Sequence, residues 1–330
     1  MSPRLVWRVA VRGTAGPFEG ISFIFPRARP RSPLRWGHVC TSPPCPRRAR
    51  RCRCRRVPQG HRRQGRRLPA VRAVTVRVER EGGVATLVVS APPLNLYSLD
   101  LHDEIDRALD QIEAELPRVL VIGAEGRIVS GGVDVAQFAA CPSRDATQAL
   151  YDRMMELPDR IAALRIPTIF AAHALTLTWA FEVALACDVL LASTAARFGL
   201  VERVIGLTPT MGGTQRLAAR AGVARAKELV FTGTHYDAAT LERWNVVNRV
   251  IEPADFDAEV HRFAQDLADG PTRAFGAAKD ILRAYEAGGV PGANAATTAI
   301  ASALFDTADL QHGMASFLAD GPGKATFIGE

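Results

Sequence analysis

The sequence predicts an α/β fold over about residues 74–330, and three observations support it. Short apolar runs typical of buried strands alternate with longer segments of helical spacing as far as about residue 217. The composition, 48% hydrophobic and 23% charged, is ordinary for a globular chain of this length. No uninterrupted apolar stretch approaches the roughly 18–20 residues that a membrane-spanning helix needs. We therefore expect a layered α/β protein that does not act in a membrane.

The predicted fold begins with a β-hairpin. Val74–Glu79 alternates apolar and charged residues, a turn at Glu81–Gly83 follows, and Ala85–Ser90 gives the second strand. Leu99–Glu115 has the spacing of an amphipathic helix, and the apolar run Arg118–Ala124 predicts a buried strand. The apolar stripe of this helix comprises Leu101, Ile105, Leu109 and Ile112.

Strands and helices continue to alternate after a glycine-bearing loop at Glu125–Asp134. A helix is predicted over Ala146–Leu164, and the runs "PTIFAAH" and "DVLLAS" predict strands on either side of a helix that contains "AFEVALA". From Gln215 onward the pattern is mostly helical, apart from a strand at Val246–Ile251. A last helical stretch covers Asn294–Ala319. We divide this part of the chain into an α/β core, 74–265, and a helical C-terminal region, 266–330.

Residues 1–73 differ in composition from the rest of the chain. They hold 19 Arg, no Lys and one acid, a balance of +18, whereas the remainder has 22 Lys and Arg against 33 Asp and Glu, a balance of −11. An Arg- and Pro-rich segment with few apolar residues cannot offset its ordering entropy. We predict a disordered arm, or translated upstream sequence outside the native protein.

Three alternatives remain for this arm. It resembles an organelle transit peptide, although its prolines disfavour an amphipathic helix. Its arginines could bind nucleic acid phosphates, but Trp36 is the only aromatic ring between Phe25 and Val74, so base stacking is not favoured. The last alternative is zinc, although the cysteine spacing fits no strong zinc pattern. The four cysteines are Cys40, Cys45, Cys52 and Cys54.

The remaining cysteines, Cys141 and Cys187, are isolated and do not suggest a disulfide framework. We therefore expect a cytoplasmic location. The sequence also has no G-x-G-x-x-G after a strand, no P-loop, no H-E-x-x-H and no G-x-S-x-G. Dinucleotide, P-loop nucleotide, zincin and α/β-hydrolase sites are thus unsupported.

Several motifs carry a family resemblance. They are "FEVALACDVLLAS" at 181–193, "ARFGLVE" at 196–202, "GLTPTMGGTQRL" at 206–217 and "GPGKATF" at 321–327. In order and spacing these motifs resemble the enoyl-CoA hydratase/isomerase (crotonase) family over nearly all of 74–330. The resemblance implies a spiral of β-β-α units with a helical C-terminal region used for trimerisation. It further implies an acyl-CoA substrate, a homotrimer or hexamer, and no metal or redox cofactor.

The resemblance assigns the chemistry to two carboxyl groups. Glu182 matches the first catalytic glutamate of the family and Glu202 the second, twenty residues later. Adding water to a 2-enoyl-CoA requires one group to activate water and another to supply a proton at Cα. Paired carboxyl groups can do both when their surroundings separate their pKa values. The expected function is therefore enoyl-CoA hydration, with Glu182 and Glu202 as the acid and base.

The same reaction needs donors for the enolate oxygen. The resemblance places the first backbone N–H at Gly131 and the second at Trp179, just ahead of the "AFEVALA" helix. It also suggests contacts to substrate or CoA at five positions. These are Asn95, Val133, Asp134, Lys324 and Phe327.

The turn before Glu182 departs from the family. The family has glycines there, whereas 173–180 reads "HALTLTWA" without any. We expect the Trp179 side chain to narrow the acyl pocket or shield it from water, and Thr178 to offer a hydroxyl. His173 is interpreted as a loop histidine rather than a base. The glycines of "MGGTQR", 211–216, are interpreted as a structural loop that anchors the next helix.

Other functions remain open on the sequence alone. The same scaffold supports double-bond isomerisation or decarboxylation of an acyl-CoA, although the presence of both glutamates favours hydration because isomerisation can proceed with one. A non-catalytic acyl-CoA binder, or an RNA binder acting through the arm, is the alternative of a different class.

Overall fold

A computed structural model of the protein describes residues 74–330. The predictions made for the arm, including its zinc and nucleic acid alternatives, lie outside the described residues. Within these residues the chain forms an α/β structure followed by a C-terminal region of helices, as the sequence predicts. No helix in this part of the chain is long and apolar enough to cross a bilayer.

The described residues contain a six-stranded and a three-stranded sheet. In the larger sheet the order is β1-β2-β3-β4-β6-β9, and the smaller sheet has the order β5-β7-β8. The hairpin pair β1 and β2 is antiparallel, and all other pairs of the large sheet are parallel. The strands are β1 Thr75–Glu81, β2 Val84–Ser90, β3 Val119–Ala124, β4 Thr168–Ala172, β5 Thr176–Leu177, β6 Val189–Ser193, β7 Arg197–Gly199, β8 Tyr236–Asp237 and β9 Arg249–Ile251.

Helices follow most of these strands and cover the sheet. The first, α1, begins where the Ser98 hydroxyl accepts the Leu101 N–H, and its predicted apolar stripe is buried. The helices are α1 Leu99–Ala114, α2 Ala136–Ala140, α3 Arg144–Ala163, α4 Trp179–Ala186, α5 Gly213–Ala221, α6 Val223–Thr232, α7 Ala238–Arg243, α8 Phe256–Ala268, α9 Thr272–Ser302 and α10 Ala308–Asp320. Two short 3-10 turns lie at Glu202–Ile205 and Ala303–Asp306.

The core lies between the large sheet and the helices packed on it. Strands β3, β4 and β6 are almost wholly apolar because parallel strands covered on both faces have no solvent side. Every residue of α4 is buried, so this helix sits inside the molecule rather than on it. A helix that is apolar all round is typical of such a position. Its single carboxylate, Glu182, is therefore held in the interior.

Two predicted elements in the C-terminal half have different bounds in the structure. The predicted helix 294–319 is interrupted, because α9 ends at Ser302 and α10 starts afresh with the Thr307 hydroxyl as its cap. The last strand of the large sheet is shorter than predicted, since the N–H groups of Val246 and Val247 bond to the Leu241 carbonyl at the end of α7.

Candidate active site

Glu182 is the fourth residue of α4, in the first turn of the helix, and is 2% exposed. Its Oε2 accepts two backbone hydrogen bonds of 2.8 Å each, from the Met211 N–H and the Gly213 N–H. Both donors belong to the loop that opens α5, so the N-terminal end of that helix faces the carboxylate. Backbone N–H groups at a helix start favour negative charge. The ionised form of Glu182 is thus stabilised within an otherwise apolar setting.

The glycine pair in this loop has a role that the sequence interpretation missed. Gly212 has φ of +87°, and a Cβ on Gly213 would lie 2.7 Å from the Glu182 Cγ. Only a residue without a side chain lets the α5 backbone approach the carboxylate so closely. The Gly212–Gly213 turn starts a helix, as expected, but it also holds Glu182. Two successive glycines at the start of a helix are the signal that could have indicated an anion-binding loop.

Glu202 opens the 3-10 turn that follows β7. Glu202 as a whole is partly buried. Its Oε2 atom is buried and has no hydrogen-bond partner among the residues the structure describes. An unpartnered buried carboxyl oxygen is costly unless the group is protonated or a ligand meets it. Glu202 therefore has the surroundings of a proton donor.

The two carboxyl groups are electrostatically linked. Burial raises the pKa of Glu182 to about 7, against the opposing effect of the Gly213 and Met211 N–H groups. Burial, and after it the negative charge of Glu182, raises the pKa of Glu202 to about 8. Near neutral pH the pair thus tends to carry a single proton, with Glu182 the better base and Glu202 the better acid.

The loop after β3 contains an N–H without an acceptor, but it is not the predicted one. The Gly131 N–H donates to the Leu94 carbonyl at 2.8 Å, so it is not free to bind an enolate oxygen. The structure therefore contradicts the prediction for Gly131. Within the described residues the Val133 N–H has no acceptor, while its neighbours Gly132 and Asp134 donate to Ser130 and Tyr97. Val133 replaces Gly131 as the candidate donor.

The Trp179 N–H also lacks an acceptor in the part of the chain that the structure describes. Trp179 is the first residue of α4, where an N–H has no intrahelical carbonyl, and the Thr178 side chain does not cap the helix. Val133 and Trp179 thus each have one backbone N–H that makes no hydrogen bond in the described part of the chain. The residues just before them lie near one another, since a Cβ built on Gly132 would be 3.3 Å from the Thr178 Oγ1. Two free backbone N–H groups on adjoining loops can stabilise a negatively charged oxygen, which is the role of an oxyanion hole.

The Trp179 side chain packs into the core. Its indole N–H donates to the Asn95 carbonyl at 3.1 Å, and its ring lies beside Tyr97 with 6.2 Å between ring centroids. The Asn95 side chain also makes internal hydrogen bonds, since its Oδ1 accepts the Ala91 N–H and its two Nδ2 hydrogens are shared among three loop carbonyl oxygens within 3.2 Å. The substrate contact predicted for Asn95 is contradicted for its side chain, which instead ties the loops together.

The remaining predicted contacts lie elsewhere. Asp134 is exposed, and its Oδ1 accepts the Ala136 N–H at the start of α2. Lys324 is exposed in the C-terminal tail, and Phe327 lines an apolar groove of about 620 Å³ formed with α10. Neither glutamate lines that groove. His173 bonds locally, with its Nε2 3.0 Å from the Gly126 carbonyl oxygen.

Sequence comparison identifies known relatives of this chain. The sequence profile of the enoyl-CoA hydratase/isomerase family matches residues 79–324. The probable enoyl-CoA hydratase EchA8 of Mycobacterium bovis is 32% identical over 74% of this chain and 95% of its own length. The short-chain-enoyl-CoA hydratase of Clostridium acetobutylicum is 28% identical over 74% of this chain and 94% of its own.

Solved structures agree with this assignment. Enoyl-CoA hydratase subunit I of Geobacillus kaustophilus superposes with a TM-score of 0.73 at 30% identity, covering 78% of this chain and 99% of its own. The enoyl-CoA hydratase of Bacillus anthracis, at 24% identity, shares the fold with a TM-score of 0.72, covering 78% of this chain and 100% of its own. The chain therefore belongs to the enoyl-CoA hydratase/isomerase family, as its motifs predict.

Proposed function

We propose that this protein is an enoyl-CoA hydratase, which adds water across the 2,3 double bond of a 2-enoyl-CoA thioester. The observation that carries the proposal is the pair of buried carboxyl groups, Glu182 and Glu202, whose pKa values are raised to about 7 and about 8. Such a pair presents one base and one acid at neutral pH. Hydration needs both, whereas isomerisation can proceed with one.

The proposed reaction uses each group once. Glu182, ionised and held by the Met211 and Gly213 N–H groups, takes a proton from water as the water oxygen bonds to Cβ. The electrons of the double bond move to the thioester oxygen, which the N–H groups of Val133 and Trp179 stabilise as an enolate. Glu202 then gives its proton to Cα, and the proton gained by Glu182 passes to Glu202, which returns the pair to its starting state. The atoms added to the substrate are those of one water.

The proposal includes no metal or redox cofactor. Two carboxyl groups provide the proton transfers and two backbone N–H groups stabilise the negative charge, so each step has a protein group to perform it. The CoA moiety enters as part of the substrate. Its contacts at Lys324 and Phe327 stay predictions, as does the cytoplasmic location.

We further propose that the protein assembles as a homotrimer or hexamer through its C-terminal helices. Helix α10 and the 3-10 turn before it leave four large apolar side chains exposed in the single chain: Phe305, Met314, Phe317 and Leu318. Met314, Phe317 and Leu318 line one groove, and an exposed apolar surface of this kind is typical of a contact between subunits. Assembly would also allow the tail of one subunit to reach the carboxyl pair of another.

The test is hydration of crotonyl-CoA by the full chain, followed as loss of the ultraviolet absorbance of the conjugated thioester. We expect turnover, and we expect Glu182→Gln and Glu202→Gln each to reduce kcat by at least about a hundredfold, the scale of a lost general acid or base. Glu228→Gln, an exposed glutamate on α6, is the matched control and should retain activity. A folded protein that turns over neither crotonyl-CoA nor longer 2-enoyl-CoAs would refute the proposal.

A further inference from the structure

We propose that the side-chain hydroxyl of Thr178 is a third hydrogen-bond donor to the thioester oxygen, beside the N–H groups of Val133 and Trp179. This inference rests on the proposed function, because it assigns a new residue to the same site. The position is one where the family has glycine, so the hydroxyl distinguishes this chain from the pattern its motifs otherwise follow.

The first argument is the burial of the hydroxyl. Thr178 is 5% exposed, and its Oγ1 has no hydrogen-bond partner among the described residues. A buried hydroxyl normally finds a partner, because water is not there to replace it. We therefore expect the Thr178 hydroxyl to donate a hydrogen bond to an oxygen of the bound substrate.

The second argument is location. Thr178 directly precedes Trp179, whose backbone N–H lies at the start of α4 and makes no hydrogen bond to any described residue. Its Oγ1 lies 3.3 Å from the point where a Cβ of Gly132 would be, and Gly132 directly precedes Val133. The hydroxyl thus lies where the two donor-bearing loops meet.

The third argument is the backbone. Thr178 has φ of 48° and ψ of −117°, a conformation that a β-branched residue rarely adopts. Its N–H donates to the Gly199 carbonyl and its carbonyl accepts the Glu182 N–H, so contacts on both sides maintain this strain. Backbone strain of this type is concentrated at functional sites. A glycine would relieve the strain, whereas threonine adds a hydroxyl at this place.

The experiment compares variants of the full chain at position 178. Thr178→Val keeps the branched shape and removes the hydroxyl, whereas Thr178→Ser keeps the hydroxyl and removes the methyl group. For crotonyl-CoA we expect Thr178→Val to lower kcat by about tenfold to a hundredfold with little change in KM, since a donor to the developing charge acts in the transition state. Thr178→Ser should stay within about threefold of the unchanged protein on the same reasoning.

A second readout does not need turnover. Acetoacetyl-CoA forms a stable enolate with its own ultraviolet band, so its ionised fraction on the protein reports the oxyanion donors directly. We expect Thr178→Val to lower this fraction at a fixed pH and Thr178→Ser to preserve it. Butyryl-CoA, which does not ionise in this range, should bind both variants equally. If Thr178→Val does not fold, Thr178→Gly removes the hydroxyl while relaxing the backbone.

The outcomes separate the two proposals. Turnover and enolate fraction unchanged in Thr178→Val would overturn the donor role and leave the hydratase proposal standing. Equal losses in Thr178→Val and Thr178→Ser would also overturn it, because the loss would then not depend on the hydroxyl, which Ser keeps and Val lacks. No hydration by the unchanged protein, together with an enolate that depends on the hydroxyl, would refute hydration and support the donor role. Neither hydration nor enolate would refute both.

Discussion

Glu182 and Glu202 owe their raised pKa values mainly to burial, and at Glu202 the negative charge of Glu182 adds to it. Removing water from a carboxyl group disfavours its ionised form, and both groups lie in surroundings that do this. Two backbone N–H groups partly compensate Glu182, whereas the Glu202 Oε2 has no partner in the described residues. This difference makes Glu182 the better base and Glu202 the better acid, although both are glutamates.

The pH dependence of hydration follows from the two carboxyl groups. The base must be ionised, so kcat/KM should rise with pH up to about 7, where Glu182 titrates. The acid must be protonated, so kcat/KM should fall above about 8, where Glu202 titrates. The profile should be a narrow bell between these values, with limbs that belong to the pair rather than to either residue.

The measurement is kcat/KM for crotonyl-CoA from pH 5 to 10 at constant ionic strength. Glu202→Gln should remove the alkaline limb from whatever activity remains, because Gln does not titrate. An activity that stays constant across this range would contradict the assignment of the acid and the base.

The two glutamates can be predicted from the sequence, whereas the free backbone donors cannot, for a physical reason. The spacing of Glu182 and Glu202 within matched motifs is a property of the sequence itself. Whether the Gly131 or the Val133 N–H is free depends on the Leu94 carbonyl, which another loop brings opposite Gly131. A single sequence does not specify that contact, so it does not show which N–H of this loop is free.

At the scale of elements, the site is a junction between two helices. Helix α4 carries Glu182 and α5 presents its first N–H groups to it, an arrangement that depends on close approach at Gly213. Elements with strong periodicity, such as the hairpin and α1, were predicted within a few residues. The approach of α5 to α4 was not, because it depends on packing across about thirty residues of chain rather than on a local period.

Gly213→Ala tests this junction. The added Cβ would lie 2.7 Å from the Glu182 Cγ, so either the carboxylate or the start of α5 must move. We expect kcat for crotonyl-CoA to fall by about tenfold or more, because a shift of about an ångström in a catalytic group costs up to about a hundredfold. Gly288→Ala in α9, where an added Cβ meets nothing within 4 Å, is the matched control. Equal activity of the two variants would show that the close approach is unimportant.

At the scale of the whole molecule, the C-terminal tail packs on α10, and the groove that they form is lined by neither glutamate. Phe327 lines the groove of about 620 Å³ together with α10, and the Asp309 carboxylate holds the tail by accepting the N–H groups of Ile328 and Gly329. The tail is thus fixed in place beside an exposed apolar surface. Assembly through that surface would explain why so many large apolar side chains of α10 face outward.

Leu318→Glu tests assembly and its link to CoA binding. Leu318 is 85% exposed and lines the groove, so burying a charge there would oppose association, whereas burying the leucine would stabilise it by about 1.5–3 kcal/mol. Light scattering should show the unchanged chain at three copies or a multiple of three, and the variant as smaller species.

If a neighbour supplies Lys324 and Phe327 to the site, KM for crotonyl-CoA should rise more than kcat falls. Leu116→Glu, at a leucine 53% exposed outside the C-terminal region, should leave mass and KM unchanged. An unchanged protein that is monomeric and fully active would remove the need for any neighbour and place CoA binding within the single chain.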